Sequence, residues 1–129
     1  MSWVGTYSYT RSINQTGIDD LDRSVGKQLP YVPLHNAVLS SNVLGKSWSI
    51  GLSADYTGLR YVTTENESEL PDFLLLSANA SKSFQSSALS FETYVRLNNL
   101  LNTFYQNVKN KAMPGFNFSL GVHVKFNKI

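Results

Sequence analysis

The sequence predicts an all-β chain: six antiparallel strands in an up-and-down meander, with one face turned to lipid. Three observations predict it. From Gly115 to Phe126 the residues alternate, with Phe116, Phe118, Leu120, Val122, Val124 and Phe126 on one parity and Asn117, Ser119, Gly121, His123 and Lys125 on the other. A strand sends successive side chains to opposite faces, so this stretch has one oily face and one wet face. The charged fraction is 16% beside a hydrophobic fraction of 42%, against roughly 25% charged in soluble domains. The links between strands alternate short and long, the plan of an outer-membrane barrel with tight turns on one rim and long loops on the other.

The elements follow in order. The first strand is read over Ser2–Ser12, with Trp3, Gly5, Tyr7 and Tyr9 opposing Val4, Thr6, Ser8 and Thr10. The second covers Asn36–Leu44, with Ala37, Leu39 and Val43 on its apolar side. The third is read over Trp48–Tyr61, where Trp48, Ile50, Leu52, Ala54 and Tyr56 oppose Ser49, Gly51, Ser53, Asp55 and Thr57. The fourth, Phe73–Phe84, is the least clean, because Leu75 shares a parity with Ser77, Asn79 and Ser81. The fifth, Ala88–Asn98, sets Leu89, Phe91, Thr93, Val95 and Leu97 against Ser90, Glu92, Tyr94, Arg96 and Asn98. The sixth is Gly115–Phe126.

Gly45-Lys46-Ser47 and Gln85-Ser86-Ser87 are tight turns. The remaining links, Ile13–His35, Val62–Asp72 and Asn99–Pro114, are long. Gly17-Ile18-Asp19-Asp20 and Thr64–Glu69 have the polar composition of mobile loops. Prolines in Leu29–Leu34 and Leu70-Pro71 stiffen the approach to the second and fourth strands. Leu100, Leu101, Phe104, Tyr105 and Val108 have near-helical spacing, which predicts a short helical turn within Leu97–Lys111. Trp3, Tyr7, Tyr9, Trp48, Tyr56 and Phe84 fall near strand ends, where an aromatic girdle sits. Six strands are too few to close a barrel, which needs about eight. An open sheet leaves unpaired backbone groups in hydrocarbon at several kcal/mol each. The expectation is therefore an incomplete barrel that takes partner strands on both edges.

Composition excludes other classes. A net charge of +2 does not argue for nucleic acid. The absence of Cys excludes disulfides and thiolate metal sites. No apolar run reaches the length of a transmembrane helix. Residues 1–7 read as a strand and not as a signal peptide, so the expectation is that either the start has been removed or the chain is a piece of something longer. His35 and His123 have no carboxylate spacing that would join them into a metal site. Glu92 and Arg96 share the polar face of the fifth strand, about 13 Å apart at strand rise, and with Asp55 read as ordinary solvated charges. Neither a Gly-x-Ser-x-Gly nucleophile motif nor a phosphate-cradling glycine loop is present, so no enzyme, catalytic residue or cofactor is expected. Four Asn-x-Ser/Thr triplets occur, two within strands, and read as chance. A small soluble β-barrel or sandwich acting as a binding module is the alternative reading, as is a short chain completing a split barrel.

Several segments carry a family likeness. They are Gly26–His35, Gly58-Leu59-Arg60-Tyr61 with Leu70-Pro71-Asp72-Phe73, Val95–Tyr105 with its Asn98-Asn99-Leu100 turn, and Met113–Gly121. In their order and spacing the chain, from Gly26 to Phe126, resembles the C-terminal barrel of a TonB-dependent outer-membrane receptor, closest in flavour to those of Bacteroidetes-type Gram-negative bacteria. The resemblance implies a 22-stranded barrel of which residues 1–129 supply the last six strands. It implies uptake of siderophore-iron, haem, cobalamin or glycan. It also implies partners: outer-membrane lipid, the remaining strands and plug domain, and the TonB complex acting through that plug; it leaves open whether a surface lipoprotein caps the barrel. The long loops would form part of the outer vestibule. The family's plug and TonB box have no counterpart in these residues. The family commonly finishes on a terminal aromatic, whereas here Phe126 is followed by Asn127-Lys128-Ile129.

Overall fold

The computed structural model describes residues 1–85 and 89–126. Strands β1 (Ser2–Tyr9), β2 (His35–Leu44), β3 (Trp48–Thr57), β4 (Arg60–Tyr61), β5 (Glu69–Leu70), β6 (Phe73–Gln85), β7 (Leu89–Asn98), β8 (Gln106–Val108), β9 (Lys111–Ala112) and β10 (Asn117–Phe126) follow in chain order. Six of them make one antiparallel sheet in the order β1-β2-β3-β6-β7-β10. This is the expected meander. The pairs β4-β5 and β8-β9 are small hairpins inside the long links.

The register brings the six parities into agreement. Directly opposed residues share a face, and one row runs Trp3, Ser41, Leu52, Ala78, Leu97, Phe118. The next runs Val43, Ile50, Ala80, Val95, Leu120. Every apolar parity read from the sequence therefore lies on one face, where Lys82 is the single charged side chain among the described strand residues. Asp55, Glu92, Arg96, His123 and Lys125 lie on the other. A one-residue slip in any strand would have mixed the faces.

Aromatic residues bracket the apolar face. Trp3, Trp48, Phe84, Phe91 and Phe126 lie toward the tight-turn rim, and Tyr7, Tyr9 and Tyr56 toward the long-loop rim. Trp48 to Tyr56 spans about 26 Å along the strand at ordinary rise, the scale of the apolar band of a membrane barrel. Nothing covers either face among the described residues. Leu120 is 70% exposed, and Phe118, Val122 and Phe126 are exposed as well. Among the described residues the one buried apolar side chain is Leu70, which lies outside the sheet in the loops. A sandwich core would have buried the Phe and Val residues of β10.

Several boundaries differ from the sequence reading. β1 ends at Tyr9 because the chain then folds back on its own loop: Ser12 N–H donates to Gln28 Oε1 at 3.0 Å and Ile13 bridges Gln28. β3 ends at Thr57, four residues early. Gly58 N–H donates to His35 O at 2.8 Å, and a Cβ there would meet that oxygen at 2.8 Å, so the turn toward Arg60 requires glycine. Strand β10 begins at Asn117, after Gly115 and Phe116. The helical turn expected within Leu97–Lys111 is absent. Asn99 and Asn102 both have φ of 50°, outside right-handed helix, and the segment continues into the β8-β9 hairpin. The turn at Gly45-Lys46-Ser47 forms as expected, closed by Gly45 N–H to Trp48 O at 2.8 Å. The expected turn at Ser86-Ser87, the strand start at Ala88 and the end at Asn127-Lys128-Ile129 lie outside the described residues.

Candidate functional site

The long links are not loose. They form a layer over one rim of the sheet, sewn together by polar groups that the sequence reading left without roles. Gln28 is buried; its side-chain amide donates to Thr10 O at 3.1 Å and Val32 O at 3.3 Å, closing the first loop on itself. With its amide turned to satisfy both partners, Asn66 of the second loop pairs with the backbone of Gln28, donating at 2.9 Å and accepting at 3.0 Å. Tyr31 N–H donates to Tyr61 O at 2.7 Å. Arg23 pairs with Glu67 at 2.7 Å and Glu65 at 3.5 Å. These exposed ion pairs each contribute at most about 1 kcal/mol; the buried amides fix the geometry.

Arg60 joins the second loop to the third. It is only 4% exposed, donates to Pro71 O and Gln106 O at 3.2 Å each, and lies 4.9 Å over the Phe73 ring. Burial pushes its guanidinium below its usual pKa. It remains a cation and draws the two carbonyls toward it. Lys109 Nζ to Ser68 Oγ at 2.6 Å is a second link between these loops. The third loop is closed by Asn99, 3% exposed. Its side-chain N–H groups donate to Thr103 O at 2.9 Å and Pro114 O at 3.2 Å, and its oxygen accepts from Thr103 N–H at 2.8 Å.

At the tip of the first loop, Asp22 accepts from Ile18 N–H and Ser24 N–H at 2.9 Å each. Interactions with the Ser24 side chain, then with these two amides, lower its carboxyl pKa from the ordinary value. A group with a depressed folded pKa stabilises its fold above the unfolded pKa and loses that contribution as pH falls through the folded one. The turn is therefore expected to hold at neutral pH and to open below the ordinary carboxylate range. Amide exchange at Ile18 and Ser24 measures this; protection unchanged down to strongly acid pH would contradict it. The turn presents Ile18, 97% exposed, at the surface.

Of the titratable residues noted in the sequence, only His123 and Glu92 come together, and the others stay apart. His35 Nδ1 shares a 2.8 Å hydrogen bond with Tyr7 OH at the long-loop rim. His123 faces Glu92 across β10 and β7 on the wet face, far along the sheet. Asp55 Oδ2 accepts from Ser53 Oγ at 2.9 Å. Arg96 opposes Asn79 and Ser119. Among the described residues no group of three His, Asp or Glu is placed to hold a metal ion. The wet face also shows close packing of its own. The Tyr94 ring lies over Gly121, where any Cβ would collide with it, so a large side chain fills the space that glycine leaves.

The arrangement can separate lipid from water and carry a shaped loop rim, and its fold recurs in solved structures. The solved ferric preacinetobactin receptor BauA of Acinetobacter baumannii superposes with a TM-score of 0.74 at 18% identity, over 92% of this chain and 18% of that one. The unliganded ferric citrate transporter FecA gives 0.73 at 20% identity, over 95% of this chain and 21% of that one. The chain thus spans about a fifth of the length of these proteins. No curated sequence matches it. The sequence profile described as TonB dependent receptor-like, beta-barrel matches residues 1–112, and with that match the chain belongs to the TonB-dependent receptor β-barrel family.

Proposed function

We propose that residues 1–129 are the last six strands of a barrel in a Gram-negative outer membrane, and that the whole receptor takes up a nutrient with energy delivered by the TonB complex through a plug domain. One observation carries the reading: six register-matched strands place their apolar parities on a single uncovered face with one charge among the described residues, against a polar face that no other element covers. Lipid is the environment that accepts the first face, and a wet lumen holding a plug accepts the second. The two hairpin-bearing loops and the Gln28-closed loop would form part of the outer mouth. The cargo classes of the family are iron-siderophore, haem, cobalamin and glycan. The named cargo of the superposed neighbours, ferric preacinetobactin and ferric citrate, favours a ferric chelate. The chain would act as wall and rim, without covalent chemistry.

Labelling tests the orientation. The chain has no native cysteine. In the receptor that carries it, held in outer membranes, Leu120→Cys is expected to react with a lipid-soluble thiol reagent and to resist a water-soluble maleimide, and Ser119→Cys to do the reverse. Equal reaction of both positions with the water-soluble reagent would sink the reading.

A further inference from the structure

Among the described residues the apolar face carries one charge, and its surroundings are specific. Lys82 stands in a row between Trp48 and Thr93. Its Nζ turns along the strand toward the tight-turn rim and lies 5.3 Å from the centre of the Phe84 ring, which stacks on Phe91 at 4.6 Å. Lys82 takes part in no ion pair among the described residues, whose only ion pairs are those of Arg23. No carboxylate shares its face, since Asp55 and Glu92 are on the wet side. Of the chain's nine acids, the other seven, Asp19, Asp20, Asp22, Glu65, Glu67, Glu69 and Asp72, lie in the long-loop layer and its junction with β6. The tight-turn end instead holds Lys46 in the turn itself, beside the β6 backbone through Ser83 N–H to Ser47 O at 2.7 Å. A lysine inside an aromatic girdle extends its ammonium toward the headgroup layer while its methylenes stay in hydrocarbon.

We infer that Lys82, seated on Phe84 and flanked by Trp48, binds the phosphate of an anionic glycerophospholipid in the leaflet at the tight-turn rim. The argument is charge complementarity: a cation without a protein counter-ion, held over an aromatic surface at headgroup depth, faces the one leaflet component that is both amphipathic and negative. Lys46 extends the same positive field. The inference rests on the membrane-facing reading of the apolar face.

The test uses the receptor that carries this chain, reconstituted in phosphatidylcholine bilayers with a fluorophore on Thr93→Cys, directly opposite Lys82. Phosphatidylglycerol and phosphatidylcholine, each bearing a nitroxide high on one acyl chain, are the quenchers. Both are expected to quench, and phosphatidylglycerol at about fivefold lower mole fraction. Lys82→Gln is expected to abolish that preference and Lys82→Arg to keep it. Equal quenching by the two lipids with Lys82 intact overturns the phosphate site and leaves the membrane-facing reading standing. Selectivity that survives Lys82→Gln overturns the assignment to Lys82. Quenching by neither lipid overturns both readings together.

Discussion

Leu52→Arg is expected to destabilise the membrane-embedded barrel by about 2–4 kcal/mol, and Ser53→Arg by less than about 1 kcal/mol. The two residues are neighbours in β3 and differ in the face they serve. Leu52 is the midpoint between Trp48 and Tyr56, so it lies at the depth where a charge costs most. It opposes Ser41 and Ala78, with no carboxylate in its row. An arginine there has about 13 Å of strand to either rim, too far to reach water without thinning the bilayer. Ser53 opposes Ser40 and Ser77 on the wet face and donates to Asp55. An arginine at that position finds water and a carboxylate. The measurement is urea unfolding of the receptor in lipid vesicles, read as the midpoint of each variant. Equal costs for the two substitutions would mean that the faces are not divided between lipid and water.

Asn99→Ala is expected to unfasten the third loop at about 2–4 kcal/mol of local stability. Alanine removes three side-chain hydrogen bonds at once and leaves Thr103 N–H and Pro114 O without these partners. Thr103 is half-buried and Pro114 exposed, so each lost bond costs about 0.5–1.5 kcal/mol. Asn99 also has φ of 50°, a conformation that asparagine tolerates and alanine resists by roughly 1–2 kcal/mol. Two further variants separate these contributions. Asn99→Gly keeps the backbone freedom and loses the bonds. Asn99→Asp keeps an acceptor for Thr103 N–H, so it is expected to fall between wild type and alanine. Limited proteolysis between Thr103 and Pro114, with amide exchange at Thr103, reads the effect. Undiminished protection in Asn99→Ala would show that the hairpin Gln106–Ala112 holds the loop without it.

How much of this was legible in the sequence depended on the range of the forces involved. Strand parity is local: Trp48, Ile50 and Leu52 announce their face at a spacing of two, whatever else the chain does. The order of strands followed from the tight turn at Gly45-Lys46-Ser47 and from the length of the other links. The loops were harder because their structure depends on partners far along the chain. Leu100, Leu101 and Phe104 had the spacing of a helix, but the backbone was decided by Asn99, whose amide reaches Pro114. Arg60 falls in the Gly58–Tyr61 segment with no local mark of burial. Its burial depends on Phe73 and Gln106, which no short window contains. The polar tips at Gly17–Asp20 and Thr64–Glu69 read as mobile, yet Arg23 and Asn66 tie them together. The nearest sequence signals were the Gly-Leu-Arg-Tyr and Asn-Asn-Leu segments, recognisable as family features without revealing what they hold.

The two outermost strands of the sheet run in opposite directions: β1 climbs toward the long loops, and β10 descends from them. A cylinder closed by antiparallel neighbours around them must therefore add an even number of strands. The first addition beside β1 must descend and the first beside β10 must climb. An odd supplement would force one parallel seam.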